Sequence, residues 1–278
     1  MKVMILGASG LLGQALTREW TGDDVVGLSS RDVDIRDAPK VEGMVQKAHP
    51  NWIVSAAAYA DVDGCESNPD RAFAVNRDGA VNVAKAAKKI GARLIFLSSD
   101  YVFDGKKTVP YETADPRNPQ SVYGGSKAEA EAGLLEVLPE CCIVRTSWLF
   151  GIGGKCFPDT ILKLAATRPA LDVVDDQRGC PTYCVDLARA ITELCHKGMR
   201  GIVHVTNAGD CSWFDFAREI VKSAGLASQV RPVSSAQMAR PAPRPAYSVL
   251  SAASLKHYGI VMPTWHDALQ RYLEERAT

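Results

Sequence analysis

The stretch "SVYGGSK", residues 121–127, puts a tyrosine and a lysine four positions apart. Four residues is about one helical turn, so Tyr123 and Lys127 share a face if this stretch opens a helix. A phenol has an ordinary pKa of ~10, and a nearby ammonium pulls that value toward neutrality. Such a phenol can hand a proton to an alkoxide, the species left when a hydride adds to a ketone. A second stretch, "FLSSDYVFDG", ends an apolar run in Ser98 and Ser99. A hydroxyl there can orient and polarise a carbonyl oxygen. Taken singly, these are an exposed pair at a helix start and two polar residues at a strand end. Together they form a serine, tyrosine and lysine set on successive β-α units.

A hydride donor needs its own site. "GASGLLG" places Gly7, Gly10 and Gly13 between the first apolar run and a helical one. Glycines there let the chain turn sharply and let a pyrophosphate approach the helix N-terminus, where free N–H groups favour an anion. The spacing is G-x-x-G-x-x-G, which departs from the commoner G-x-G-x-x-G. An NAD-selective site carries an acid after the second strand, for the ribose 2′-hydroxyl. This chain reads "GLSSRDVDIRD" instead. Ser29, Ser30 and Arg31 offer hydroxyls and a guanidinium suited to a 2′-phosphate, and Asp34 and Ile35 follow toward the adenine. NADPH is therefore the expected cofactor, with NADH as the alternative.

The elements that must position these groups alternate. "KVMILG", "DVVGLSS", "NWIVSAAA", "RLIFLSS" and "CCIVRTS" read as strands, and the segments between them carry helical periodicity. In "APKVEGMVQKAH", Val41, Met44, Val45 and Ala48 fall on one face. "PDRAFAVNRDGAVNVAKAAKKIG" reads as one long helix stopped at Gly91. Apolar strands joined by helices imply a doubly wound parallel sheet of Rossmann type, α/β in class, with ligands at the strands' carboxyl ends. Beyond about residue 150 the alternation loosens. We divide the chain into a dinucleotide-binding domain over 1–150 and a smaller, partly interleaved α/β substrate lobe over 151–278, with a cleft between them.

Length and composition exclude several classes. The 278 residues suit one large α/β domain or one with an appendage. Lys+Arg and Asp+Glu balance at 32 each, with no basic run to suggest nucleic acid. The opening apolar run is too short for a membrane span or a signal segment, so a soluble cytoplasmic protein is expected. Eight scattered cysteines without a C-x-x-C pair, and histidines away from them, read as reduced thiols and give no basis for a metal site.

The glycine turn, "SSDYVFDG", "YGGSK", "RTSWLFG", "DQRGCPT" and "RPAYSVL", in this order along nearly the whole chain, resemble the extended short-chain dehydrogenase/reductases. More narrowly they resemble the dTDP-4-dehydrorhamnose reductase family. The resemblance implies NAD(P)H-dependent reduction of the 4-keto group of a nucleotide-linked 6-deoxysugar, by a catalytic set of Ser99, Tyr123 and Lys127. Ser99 stands where the family often has threonine, and only the hydroxyl is needed. The implied cofactor contacts are Gly7, Ser9, Gly10, Leu11, Leu12 and Gly13 in the turn, with Ser30, Arg31, Asp34 and Ile35 after the second strand. Ala56, Ala57 and Ala58 after the third strand, and Tyr123 and Lys127, complete them. The implied substrate contacts are Ser99, Asp100, Tyr101, Tyr123, Trp148 and Arg244. A nucleotide sugar is then the small-molecule partner, nucleic acid and membrane are not, and a homodimer is admitted. A 4,6-dehydratase would carry an Asp-Glu pair after the strand-end hydroxyl, whereas Ser99 is followed by Asp100 and Tyr101. An epimerase of the same superfamily remains open, as does a binding protein resembling the regulatory subunit of methionine adenosyltransferase.

Overall fold

A computed structural model describes residues 1–277. The first five strands are β1 (Lys2–Leu6), β2 (Asp24–Leu28), β3 (Trp52–Ser55), β4 (Arg93–Ser99) and β5 (Cys142–Thr146). Seven more follow: β6 (Leu149–Phe150), β7 (Ala170–Val174), β8 (Arg178–Gly179), β9 (Thr182–Tyr183), β10 (Gly201–His204), β11 (Cys211–Ser212) and β12 (Gln229–Val233). Six strands make one parallel sheet in the order β10-β5-β4-β3-β1-β2. The order reverses between β1 and β3. Loops leaving those two strands go to opposite faces, so a crevice opens at their carboxyl ends.

The first six helices are α1 (Leu11–Glu19), α2 (Ala38–Ala48), α3 (Val62–Ser67), α4 (Pro69–Phe73), α5 (Ala80–Ile90) and α6 (Val122–Val137). The remaining helices are α7 (Phe157–Ala165), α8 (Cys184–His196), α9 (Trp213–Ser223), α10 (Ala253–His257) and α11 (Trp265–Ala277). On one face Leu12 and Leu16 of α1 pack with Leu187 and Ile191 of α8 over Val3, Val54 and Val144. On the other, Val41, Val83, Ala87 and Leu134 from α2, α5 and α6 cover Met4, Ile53 and Phe96. Both faces are thus sealed, which is why the strands read as unbroken apolar runs rather than alternating ones.

Two features differ from the sequence reading. The long helix is interrupted: Ala74–Gly79 is π-helical between α4 and α5. Its stop is where expected, with Gly91 at φ 70. The second feature is the sixth strand. β10 pairs with β5, and α8 covers the sheet, so residues 184–204 return to the first layer after the chain has entered the lobe. The lobe itself is built around parallel β7 and β12, antiparallel β8 and β11, and a core containing Phe150, Tyr183, Phe216, Trp265 and Tyr272. All eight cysteines are buried and unpaired. Among the described residues no helix is long and apolar enough to cross a membrane.

Candidate functional site

The crevice at the β1/β3 ends is shaped by backbone. Gly7 has φ 89, and a Cβ there would lie 2.6 Å from the Ala57 amide nitrogen. At Gly13 a Cβ would meet the Gly7 carbonyl oxygen at 2.0 Å, so glycine alone lets α1 pack onto the turn. Gly10 caps α1 with no side-chain bond, leaving first-turn N–H groups open to an anion. A cleft of 310 Å³ results, lined by Gly7, Ser9, Gly10, Ser30, Asp34, Ile35 and Ala56, Ala57 and Ala58. These are nine of the expected cofactor contacts. The glycine cradle, the open amides and the cleft's place at the switch point fit a dinucleotide.

Other expected contacts lie elsewhere. Leu12 is buried in the core and Leu11 packs against the lobe, so their side chains do not line the cleft. Arg31 is exposed and outside the lining; its backbone N–H donates to Ser29 Oγ at 3.2 Å. Asp34 is clamped by Arg36, whose Nη2 donates to Oδ2 at 2.6 Å, and this bond holds its carboxyl below the usual range. The cation that does line the cleft without a carboxylate partner, among the described residues, is Arg71, poised 4.6 Å above the Tyr59 ring. Sequence reasoning missed Arg71 because it lies on α4, forty residues from the second strand.

The expected catalytic set converges at the carboxyl end of β4. Ser121 caps α6, its hydroxyl accepting from the Gly124 N–H, so Tyr123 and Lys127 do fall one turn apart in a helix. Gly124 permits the approach: a Cβ would sit 2.2 Å from the Tyr101 carbonyl oxygen. The Tyr101 and Tyr123 rings meet edge to face at 5.7 Å. Ser99 Oγ donates to Asp100 Oδ1 at 2.8 Å and accepts from the Tyr101 N–H at 3.2 Å.

The electrostatics correct one expectation. Burial, then the Asp100 carboxylate, push the Tyr123 phenol above its ordinary value, opposed by the Ser99 hydroxyl. Lys127 does not pull it down, because the ammonium points elsewhere: Nζ donates to the Leu97 carbonyl at 2.7 Å and stands 4.5 Å from the Phe96 ring centre. Burial lowers Lys127 to about 8, opposed by Glu131 one turn along. Asp100 is also displaced, burial raising it to about 6. Tyr123 is thus a fully protonated phenol at neutral pH, beside a lysine that titrates near it.

Two buried groups brace this corner, and no sequence signal marked them. Asn76, in the π-helical segment, accepts from the Tyr59 N–H at 2.8 Å and donates to Ser126 Oγ at 2.9 Å, tying the cofactor crevice to α6. Glu131, fully buried, accepts from Ser98 Oγ at 2.5 Å and from Arg145 Nη2 at 2.7 Å. A π segment at such a junction lets one side chain reach a partner that a regular helix would miss.

On the substrate side, Trp148 is half-buried beyond β5 and stacks on Trp213 at 3.5 Å. Arg244 Nη2 donates to Asp63 Oδ2 at 3.0 Å and Nη1 to the Ala242 carbonyl. It also stands beside Tyr101: burial and Asp100 raise that phenol, while the guanidinium opposes them. A second cavity, of 650 Å³, opens behind Arg244 between α7, β7 and the 235–244 segment, walled by Phe157, Ile161, Val173, Trp213 and Arg240.

A doubly wound sheet with a glycine-shaped crevice at its switch point, and a Ser-Tyr-Lys corner beside it, defines a nicotinamide-dependent short-chain reductase architecture. A family profile described as RmlD substrate binding domain matches residues 1–278. The chain is 43% identical over 278 residues to a dTDP-4-dehydrorhamnose reductase of Mycobacterium tuberculosis, spanning 96% of this chain and 91% of that one. It is 40% identical to the spore coat polysaccharide biosynthesis protein SpsK of Bacillus subtilis, over 100% of this chain and 98% of the other. The crystal structure of the dTDP-4-dehydrorhamnose reductase of Bacillus anthracis in complex with NADP superposes with a TM-score of 0.96, at 38% identity and 99% coverage of both chains. The chain belongs to this family, that of the dTDP-4-dehydrorhamnose reductases.

Proposed function

We propose that this protein reduces the 4-keto group of a nucleotide-linked 6-deoxysugar at the expense of NADPH, with dTDP-4-dehydro-L-rhamnose as substrate and dTDP-L-rhamnose as product. The observation that carries the reading is the convergence of Ser99, Tyr123 and Lys127 beside the dinucleotide crevice. Bound in that crevice, a reduced nicotinamide supplies a hydride to the carbonyl carbon. Ser99 orients the carbonyl oxygen through its hydroxyl. Tyr123 gives that oxygen its proton as negative charge develops there. Its raised pKa keeps the proton in place until then, and the alkoxide, far more basic than any phenolate, takes it downhill. Lys127 braces the end of β4 through the Leu97 carbonyl and, charged below about pH 8, is the cation at hand for the ribose of the nicotinamide.

The division of labour follows the two layers. The sheet's switch point holds the cofactor, and Tyr101, Trp148 and Arg244 receive the sugar. The 650 Å³ cavity, apolar on one side and edged by Arg240 and Arg244, suits a base and a diphosphate. The eight buried thiols suit a reducing compartment, which favours the cytoplasm. Incubation with NADPH and dTDP-4-dehydro-6-deoxy-L-mannose tests the reading: cofactor oxidation with formation of one dTDP-6-deoxyhexose is expected. Binding of NADPH without turnover of any 4-keto sugar nucleotide would sink it.

A further inference from the structure

Trp148 is one of two non-glycine residues, among the described residues, well inside the left-handed region, at φ 48. The other, His49, ends a helix, where a left-handed residue is common. A bulky aromatic in that region is strained, and the strain persists only where the surroundings over-determine it. The surroundings can be named. The indole lies parallel to that of Trp213, with ring centres 3.5 Å apart and planes 7° apart. It also lies against Gly179: a Cβ on that residue would be 2.5 Å from the ring atom Cε2 and 2.7 Å from Nε1.

Both supports come from one ribbon. Gly179 of β8 stands opposite Cys211 of β11, and Trp213 follows two residues later as the first residue of α9. The ribbon is pinned on its far side, where the Arg178 N–H donates to the Ala246 carbonyl and the Ser248 N–H to the Arg178 carbonyl. The start of α9 is pinned by a capping box between Ser212 and Asp215. Trp148 itself leaves β5 two residues after Thr146, which pairs with Ser99. Trp213, on the other side of the stack, lines the 650 Å³ cavity. The indole pair therefore links the end of β5, beside Ser99, to the lining of that cavity.

We infer that Gly179 and Trp213 are positioning residues for substrate specificity: they hold the Trp148 ring, against backbone strain, as a fixed partition between the sugar and its nucleotide. The inference rests on the proposed function, and it gives a physical role to the glycine of "DQRGCPT". A methyl group at residue 179 would force the indole to retreat by roughly 1 Å to regain van der Waals contact. Substrate misplaced to that degree can cost roughly 10²-fold in kcat/KM.

The test is a double-mutant cycle on full-length protein with two readouts. Face-to-face indoles give an exciton couplet in circular dichroism, which needs no substrate. Gly179→Ala should abolish or invert the couplet and lower kcat/KM for the sugar nucleotide roughly 10²-fold, with NADPH affinity unchanged. In a Trp148→Ala background the same Gly179→Ala change should cost nothing further, because its effect is exerted through the missing ring. An unchanged couplet in Gly179→Ala, or a full additive loss in the double variant, overturns the inference. Should Gly179→Ala fold poorly, Trp213→Leu removes the stack from the other side and must show the same non-additivity with Trp148→Ala. If the couplet responds as expected but even wild-type protein reduces no 4-keto sugar nucleotide, the functional reading fails while the positioning of Trp148 stands.

Discussion

The two halves of the site are made of different material. The cofactor half is backbone: glycines that admit a close approach, open amides at the start of α1, and strand ends set by sheet register. The half we propose for the substrate is side chain, gathered from Tyr101, Trp148, Trp213 and Arg244, and held by an indole stack and by the Asp63 carboxylate. Backbone sites tolerate few residues but depend on local sequence, so they are rigid and can be written in seven letters. Side-chain sites depend on segments a hundred residues apart, so they can change substrate without changing fold.

Between these halves stands Tyr123, and its removal should have the largest effect. Tyr123→Phe keeps the ring and its contact with Tyr101 but removes the proton; the reduction rate should fall roughly 10²–10⁴-fold with NADPH still bound. Stopped-flow loss of NADPH fluorescence, with binding measured separately, reads both quantities. The backbone half should break next. Gly7→Ala forces a Cβ onto the Ala57 backbone at positive φ, and NADPH affinity should drop roughly 10–100-fold, matching about 1–3 kcal/mol of strain. Equal NADPH affinity in calorimetry would show that the turn is not the cradle.

Lys127 sharpens the comparison through pH. Its folded pKa of about 8 lies below the ordinary 10.5, so the folded protein binds fewer protons than the unfolded chain between those values. Stability therefore rises with pH across that window, and the full penalty, about 3 kcal/mol, is carried below pH 8. Lys127→Met should gain part of that stability at pH 7 in urea melts while losing activity, and the gain should shrink as pH rises toward 10.5. In the wild type the same ionisation should end activity: kcat should decline above about pH 8 as the ammonium is lost. A flat profile to pH 10 would detach the Lys127 ammonium from catalysis. The smallest effect concerns the exposed guanidinium. Arg31→Ala should alter the NADPH to NADH ratio by less than about twofold, as befits a solvated charge. Arg71→Ala, which removes the unpaired cation of the cleft, should weaken NADPH about tenfold.

Legibility in the sequence followed the same divide. The strands, the glycine turn, the Gly91 stop and the Tyr123–Lys127 spacing are short-range, and each was readable from its own neighbours. Arg31 was expected at the cleft because a cation after the second strand is visible in sequence, whereas Arg71 enters the cleft only through tertiary packing on Tyr59. The tuning of Tyr123 was misread for a similar reason. A lysine one turn away implies a lowered phenol, but burial, Asp100 and the pull of the Leu97 carbonyl on Nζ decide the sign, and none of these is a spacing. β10 and α8 were assigned to the lobe because chain order hides a return to the first layer. Asn76, Glu131 and Trp213 carried no pattern of their own.

Ketone reduction with Tyr123 as the proton source can be read in a single experiment. Single-turnover oxidation of bound NADPH by dTDP-4-dehydro-6-deoxy-L-mannose should be followed in wild type and Tyr123→Phe, with the product identified by NMR. The wild type should give a stoichiometric dTDP-6-deoxyhexose, and the variant a rate at least roughly 10²-fold lower. Near-equal rates in the two proteins, or no product from either, would contradict it.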